Sequence, residues 1–298
     1  MQHLPRRQTA LRHRGVTTAP YPTLRQVLLL GFVAFPVAQF LIYPVVGETS
    51  PYVGLVAAEL FLLWMAVLAL RLRRWIPEDV LLLNAVPLRA LWAALLAAAG
   101  AALLVSQFDL VWSAALEAVS WDPPLYLQQL RVRIQLIDDL PSALIVTIAV
   151  VLVPALCEET FFRGFVFTGL RYHHGPVTAV VGSALLFAAA HLNPWQFPAL
   201  FLLGLFHAAL VHWTHSLYPA MVGHAVNNAL SVTAVNLRVT TGWDVLGAAE
   251  SLPLIVLIGA GAALSVGIRS LRRAPPIMPI LSPYTRPAPA DGPSAACH

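Results

Sequence analysis

Three short clusters in the second half of the chain carry residue types that can do chemistry. They are Cys157-Glu158-Glu159-Thr160-Phe161-Phe162-Arg163-Gly164, Phe187-Ala188-Ala189-Ala190-His191 and His224-Ala225-Val226-Asn227-Asn228. Each lies in an apolar run, where an ionisable group is costly and calls for a reason. Adjacent residues of a helix point about 100° apart, so Glu158 and Glu159 cannot serve one neighbour. Glu159 and Arg163 share a helix face, and in a low-dielectric setting such a pair forms an ion pair. Glu158 then needs a different partner. The alanines before His191 let a neighbouring helix come close, which turns the histidine toward that helix. His224 and Asn228 also share a face, while Asn227 points elsewhere and is the weaker candidate. Each cluster alone has a plainer reading: glutamates that neutralise bases, an interface histidine, a His/Asn hydrogen bond between helices.

A carboxylate and a histidine that face each other suit the activation of water. Glu158 can take a proton from water directly or through a bound metal, and His191 can hold that water or ligate that metal. His224 and Asn228 can donate hydrogen bonds to a developing oxyanion. Glu158, His191 and His224 form the candidate metal set, with a metal-free site the alternative. The composite is hydrolysis of a peptide bond within or near a membrane. Cys157 adjoins the first cluster, but no base stands beside it in sequence. His207, His212 and His215 lack such neighbours and read as structural.

The elements that must position these residues are membrane spans. Of 298 residues 58% are hydrophobic and only 11% charged, with mean hydropathy +0.73. A soluble domain carries about 25% charged residues, so a water-facing surface cannot be built from this chain. The expected fold is all-α, a polytopic membrane bundle of about eight transmembrane helices. They are placed near Gln26–Val46, Tyr52–Leu72, Leu88–Val111, Pro141–Leu170, Pro176–Leu192, Pro198–Trp213, Leu217–Leu237 and Leu252–Ile268. Residues 1–24 read as a basic cytoplasmic tail, 25–139 as N-terminal spans and a loop, and 140–237 as the catalytic core. Residues 238–273 hold the last span and 274–298 a proline-rich disordered tail.

The net charge of +4 does not indicate nucleic acid, because the basic residues sit at the ends of apolar runs. Arg71, Arg73, Arg74 and Arg269, Arg272, Arg273 fall on one side of the eight-span scheme with the N-terminal arginines, so both termini are expected in the cytoplasm. Arg131 and Arg133 run against this rule, in a loop that suits an interfacial helix. Two distant cysteines argue against a disulfide framework. The turn near Gly175 would place Glu158 and His191 at similar depth, about 20–25 Å from it, with His224 about 12 Å from the turn near Ser216.

Glu-Glu-x-x-x-Arg at 158–163, Phe-x-x-x-His at 187–191 and His-x-x-x-Asn at 224–228, in that order, resemble the motifs of the CPBP family. This family includes the type II CAAX prenyl endopeptidases and the bacterial Abi proteins linked to bacteriocin self-immunity. The resemblance covers about residues 140–236. It implies an all-helical intramembrane protease in which Glu158 and His191 activate water, His224 and Asn228 stabilise the oxyanion, and Glu159 and Arg163 support the site. In the family both a zinc mechanism and a metal-free glutamate mechanism are argued. The expected partners are membrane lipid and a membrane-associated protein or peptide substrate. The richness in alanine, leucine and arginine looks bacterial, which points to an inner or plasma membrane. Two competing readings are a non-catalytic immunity or scaffold protein of the same fold, and a proton-coupled transporter. Against the transporter, no inverted repeat is visible.

Overall fold

The computed structural model describes residues 21–242 and 251–273, and among these the regular elements are all helical. In chain order they are α1 (Leu24–Gly47), α2 (Pro51–Arg73), a single turn α3 (Pro77–Val80), α4 (Leu88–Glu117), α5 (Leu125–Arg133), α6 (Leu140–His174), α7 (Pro176–Ala190), α8 (Phe197–Thr214), α9 (Tyr218–Thr241) and α10 (Leu254–Arg273). The sequence marks many of these starts. Proline stands at the first or second position of α2, α3, α6, α7, α8 and α9, where its missing N–H costs nothing. Thr23 and Gln26 form a capping box on α1, and Asp139 and Ser142 form one on α6. The hydrogen bonds from Ser142 hold the Asp139 carboxyl below the usual carboxylate range.

Among the described residues, six helices are long and apolar enough to cross a membrane: α1, α2, α4, α6, α8 and α10. The protein is therefore a multi-pass all-α membrane bundle. The other two expected spans are also helices but differ in kind. α7 has 15 residues, about 22 Å of helix, and is short for a span. α9 has 24 residues but carries His224, Asn227, Asn228, Asn236 and Arg238. Most boundaries lie within a few residues of those expected. The third is an exception, because α4 runs on past Val111 to Glu117. Tertiary partners meet its polar residues: Asp109 faces Gln196, and the indole N–H of Trp112 donates to the Trp195 carbonyl at 2.8 Å. The tails expected at 1–24 and 274–298 lie outside the described residues, save Tyr21–Leu24.

α6 is the spine of the site. Its 35 residues contain two π-helical segments, Thr147–Leu152 and Thr160–Val166, on either side of the paired glutamates. A π turn inserts one residue and swings the following face by about 100°. Buried Phe161, Phe162, Phe165 and Phe167 fill the space around the second segment, with Phe35 of α1 against Phe161 and Phe162 at 5.3 Å each. The chain around α3 seals one end of this core. The Thr168 hydroxyl donates to the Val80 carbonyl at 2.9 Å, and the Asn84 amide donates to the His215 carbonyl at 2.7 Å. Where α7 meets α8 the backbones nearly touch, since a Cβ on Gly204 would lie 3.0 Å from the Ala184 Cα. A side chain at 204 would push the two helices apart by a few tenths of an ångström.

Candidate active site

The adjacent glutamates of α6 point to different neighbours, as one helical step requires. Glu158 faces the end of α7, where its Oε2 stands 4.0 Å from His191 Nε2. Glu159 turns into the bundle and is wholly buried. Its Oε1 accepts from Arg163 Nη1 at 2.9 Å and from His224 Nδ1 at 2.8 Å, with His207 Nδ1 at 3.4 Å. The site therefore has an outer pair and an inner group. The outer side chains keep some exposure, 31% for His191 and 12% for Glu158.

His191 is held by its own helix. Its Nδ1 lies 2.8 Å from the Phe187 carbonyl one turn back. A carbonyl can only accept, so Nδ1 carries the hydrogen and Nε2 presents a lone pair toward Glu158. Helix α7 stops at this point, and Leu192 takes a left-handed conformation with φ +50°. That conformation is strained for a residue with a Cβ. Asn193 then accepts from the Gln196 backbone N–H at 3.2 Å and starts the turn into α8.

A gap of 4.0 Å is too long for a direct hydrogen bond. It suits one water that donates to both atoms, because two bonds of about 2.8 Å across it subtend about 90° at the water oxygen. It suits tetrahedral zinc less well. Two ligand atoms at about 2.0–2.1 Å from such an ion stand about 3.3 Å apart.

Around Glu159 the side chains are buried, but Glu159 Oε2, Arg163 Nε and both ring nitrogens of His207 have no hydrogen-bond partner among the described residues. Arg163 is fully buried, donates its second guanidinium nitrogen to the Gly204 carbonyl at 3.1 Å, and lies 4.3 Å over the Phe187 ring. The close α7–α8 approach at Gly204 is what brings that carbonyl within reach. Since Arg163 keeps Glu159 ionised, the contact with His224 requires hydrogen on Nδ1 of His224, which leaves Nε2 as the free ring nitrogen. Phe187 separates the two layers, edge-on to His191 at 4.7 Å and to His224 at 5.9 Å.

Glu159, His207 and His224 are residue types that bind metals, and their nearest ligand atoms all lie within 4.8 Å of one another. As arranged they do not fit an ion. The 2.8 Å contact between Glu159 and His224 is a hydrogen bond and holds a proton where a metal would have to sit. The buried guanidinium on the same carboxylate oxygen would repel a dication. This group also differs from the expected metal set, since Glu158 and His191 stand outside it.

Asn228 lies one turn along α9 from His224, and its amide donates to the Val150 carbonyl at 3.1 Å. Pro154, four residues on from Val150, has no N–H to give that carbonyl. Asn228 thus gives a backbone carbonyl of the first π-helical segment a donor from another helix, and one amide hydrogen remains for other use. Asn227 donates to the Asn228 side-chain oxygen at 3.3 Å. Cys157 is fully buried and has no base directed at it among the contacts described.

His207, which with His212 and His215 reads as structural in the sequence, lies against Glu159. Its ring is stacked on His224, with centroids 5.2 Å apart and planes 11° from parallel. Neither ring nitrogen completes a hydrogen bond, although the Gly223 carbonyl is close by. One signal was available: Gly204 and His207 are three apart on α8 and so share a face. Gly204 receives Arg163, and His207 meets Glu159.

Residues 140–230 match the family described as Type II CAAX prenyl endopeptidase Rce1-like. The matched segment contains Glu158, Glu159, Arg163, Phe187, His191, His207, His224 and Asn228, and this part of the chain is similar to the CAAX-protease (CPBP) family. No curated protein and no solved structure matches the chain.

Proposed function

Starting from this CAAX-protease-like segment, we propose that the protein is an intramembrane endopeptidase that hydrolyses a peptide bond of a membrane-associated protein or peptide. The observation that carries the proposal is the pairing of Glu158 Oε2 with His191 Nε2 at 4.0 Å, at the more exposed edge of a buried polar network. A water between them donates one hydrogen to each, and Glu158 takes the proton as that oxygen attacks the scissile carbonyl. His191, with its hydrogen fixed on Phe187, orients the water. His224 offers Nε2 from the inner side. With the Glu159 carboxylate balancing its charge, a His224 that carries hydrogen on both ring nitrogens donates Nε2–H to the tetrahedral oxyanion, and Glu158 passes the proton it took from water to the leaving amine. The free N–H of Asn228 is a second donor to the oxyanion. Arg163 and His207 hold Glu159 and His224 in place. No step passes through a metal. We further propose that both termini face the cytoplasm, from the basic clusters that flank the spans.

The deciding experiment measures cleavage of a labelled membrane-associated peptide by purified protein, compared with Glu158→Ala and His191→Ala. Removing an acid–base group costs about 10²–10⁴ in rate. Unchanged turnover in both variants overturns the reading. It would favour instead a binding role for the same fold.

A further inference from the structure

Hydrolysis inside a membrane needs a route for water, and three features of the bundle give its direction. The first is what is closed. Every residue of α6 from Glu159 to Leu170 is buried, and the chain around α3 lies across this stretch, where a Cβ on Gly164 would stand 2.9 Å from Leu81 Cδ2. This closed end is also the basic one. α2 ends there at Arg71 and Arg73, α6 carries Arg171, and α10 ends at Arg272 and Arg273. The chain enters α1 at the same end, with the Tyr21 carbonyl 3.5 Å from His173 Nε2.

The second feature is depth. α7 begins at the closed end and reaches His191 after about 22 Å, in a hydrocarbon layer of about 30 Å. The turn that follows carries Trp195, whose carbonyl accepts from Trp112 and whose ring lies 6.2 Å from that of Trp121. Tryptophans collect at the membrane–water boundary. The Glu158–His191 pair thus lies nearer the face opposite the basic clusters. The third feature is a polar stripe. From His224 toward that face α9 carries Asn227, Asn228, Ser231, Asn236 and Arg238, none of them buried. Ser231 Oγ donates to Gln135 Oε1 at 3.1 Å and the Asn236 amide donates to the Gln135 carbonyl at 2.8 Å, so the stripe continues to the chain before α6. Polar side chains at membrane depth face the bundle interior or a water-filled cavity.

We propose that water and the scissile segment reach Glu158 and His191 along this stripe, from the face opposite the basic clusters. With both termini in the cytoplasm, that face is the non-cytoplasmic one. The substrate class narrows to membrane-associated proteins or peptides that present the cleaved bond there. The direction of access stands on the bundle alone, while the substrate rests on the proposed hydrolysis and the name of the face on the proposed orientation.

The test uses the full chain in sealed membrane vesicles, right-side-out and inverted, with the native thiols removed by Cys157→Ala and Cys297→Ala. Ser231→Cys probes the stripe and Arg73→Cys the basic end. A membrane-impermeant maleimide is expected to label Ser231→Cys in right-side-out vesicles only and Arg73→Cys in inverted vesicles only. A labelled, membrane-impermeant peptide is expected to be cut in right-side-out vesicles only. Maleimide on Ser231→Cys is expected to remove most of that turnover, and on Arg73→Cys to leave it unchanged. Labelling of both variants from one side, no labelling of Ser231→Cys, or cleavage confined to the side that labels Arg73→Cys overturns the inference. Labelling from opposite sides with the two sides exchanged upholds the direction of access and overturns the cytoplasmic termini. The expected labelling without cleavage from either side upholds the water path and overturns the hydrolysis, which tells the two failures apart.

Discussion

The Nδ1 of His224 and the Oε1 of Glu159 meet at 2.8 Å across helices α9 and α6, in a space that Arg163 and His207 otherwise close. This one contact sets the tautomer of His224 and ties the third motif to the first. Glu159 is therefore more than the partner of a buried arginine. Glu159→Ala leaves a buried guanidinium without its counter-ion, which costs about 3–5 kcal/mol. We expect a clear drop in the thermal unfolding midpoint in detergent. Glu159→Gln preserves shape and lets the side-chain oxygen accept from His224, yet still leaves Arg163 unneutralised. Its midpoint should fall nearly as far. If Glu159→Gln unfolds at the wild-type midpoint, Arg163 and Glu159 are not the coupled pair their geometry indicates.

Glu158 and His191 act on one water, so their losses should not add. Each single alanine variant is expected to lose about 10²–10⁴ of kcat, and the double variant about as much as the worse single. Steady-state kinetics on the three variants checks this. Additive losses would mean that the two side chains serve different steps.

Much of this arrangement was legible in the sequence, for physical reasons that can be named. Hydropathy locates the spans because lipid permits few alternatives to a closed hydrogen-bonded helix. The facing of Glu158 and His191 follows from the count of residues on either side of the turn at Gly175. The bond between Glu159 and Arg163 follows from helical spacing. Other features depend on packing that spacing cannot give. Which glutamate His224 meets is decided by the rotation of α9 against α6, and two π-helical segments alter that rotation. His207 reads as structural because its immediate neighbours in sequence are apolar, and its partners Glu159 and His224 come from two other helices.

Metal dependence gives a separate test. The distance between Glu158 and His191 and the buried cation beside Glu159 both speak against a bound dication. Turnover is expected to survive prolonged treatment with a strong chelator, and elemental analysis of purified active protein should find well under one equivalent of zinc. Loss of activity on chelation, with recovery when zinc is returned, would show that the site rearranges around an ion.

Asn228 and Pro154 offer a way to separate structure from chemistry. The amide of Asn228 satisfies the Val150 carbonyl, whose usual helical partner would be the N–H that Pro154 lacks. Asn228→Ala alone strands that carbonyl and should cost about 1–3 kcal/mol of stability. In a Pro154→Ala background position 154 gains an N–H that reaches Val150 once this turn takes an α-helical register, so the same change should cost less. A double-mutant cycle on unfolding midpoints measures the difference. The kinetic cycle reads the other role. If Asn228 also donates to the oxyanion, the fall in kcat on Asn228→Ala should persist in the Pro154→Ala background, where the carbonyl no longer needs it. A rate that recovers along with stability would assign Asn228 to the scaffold alone and leave His224 as the donor to the oxyanion.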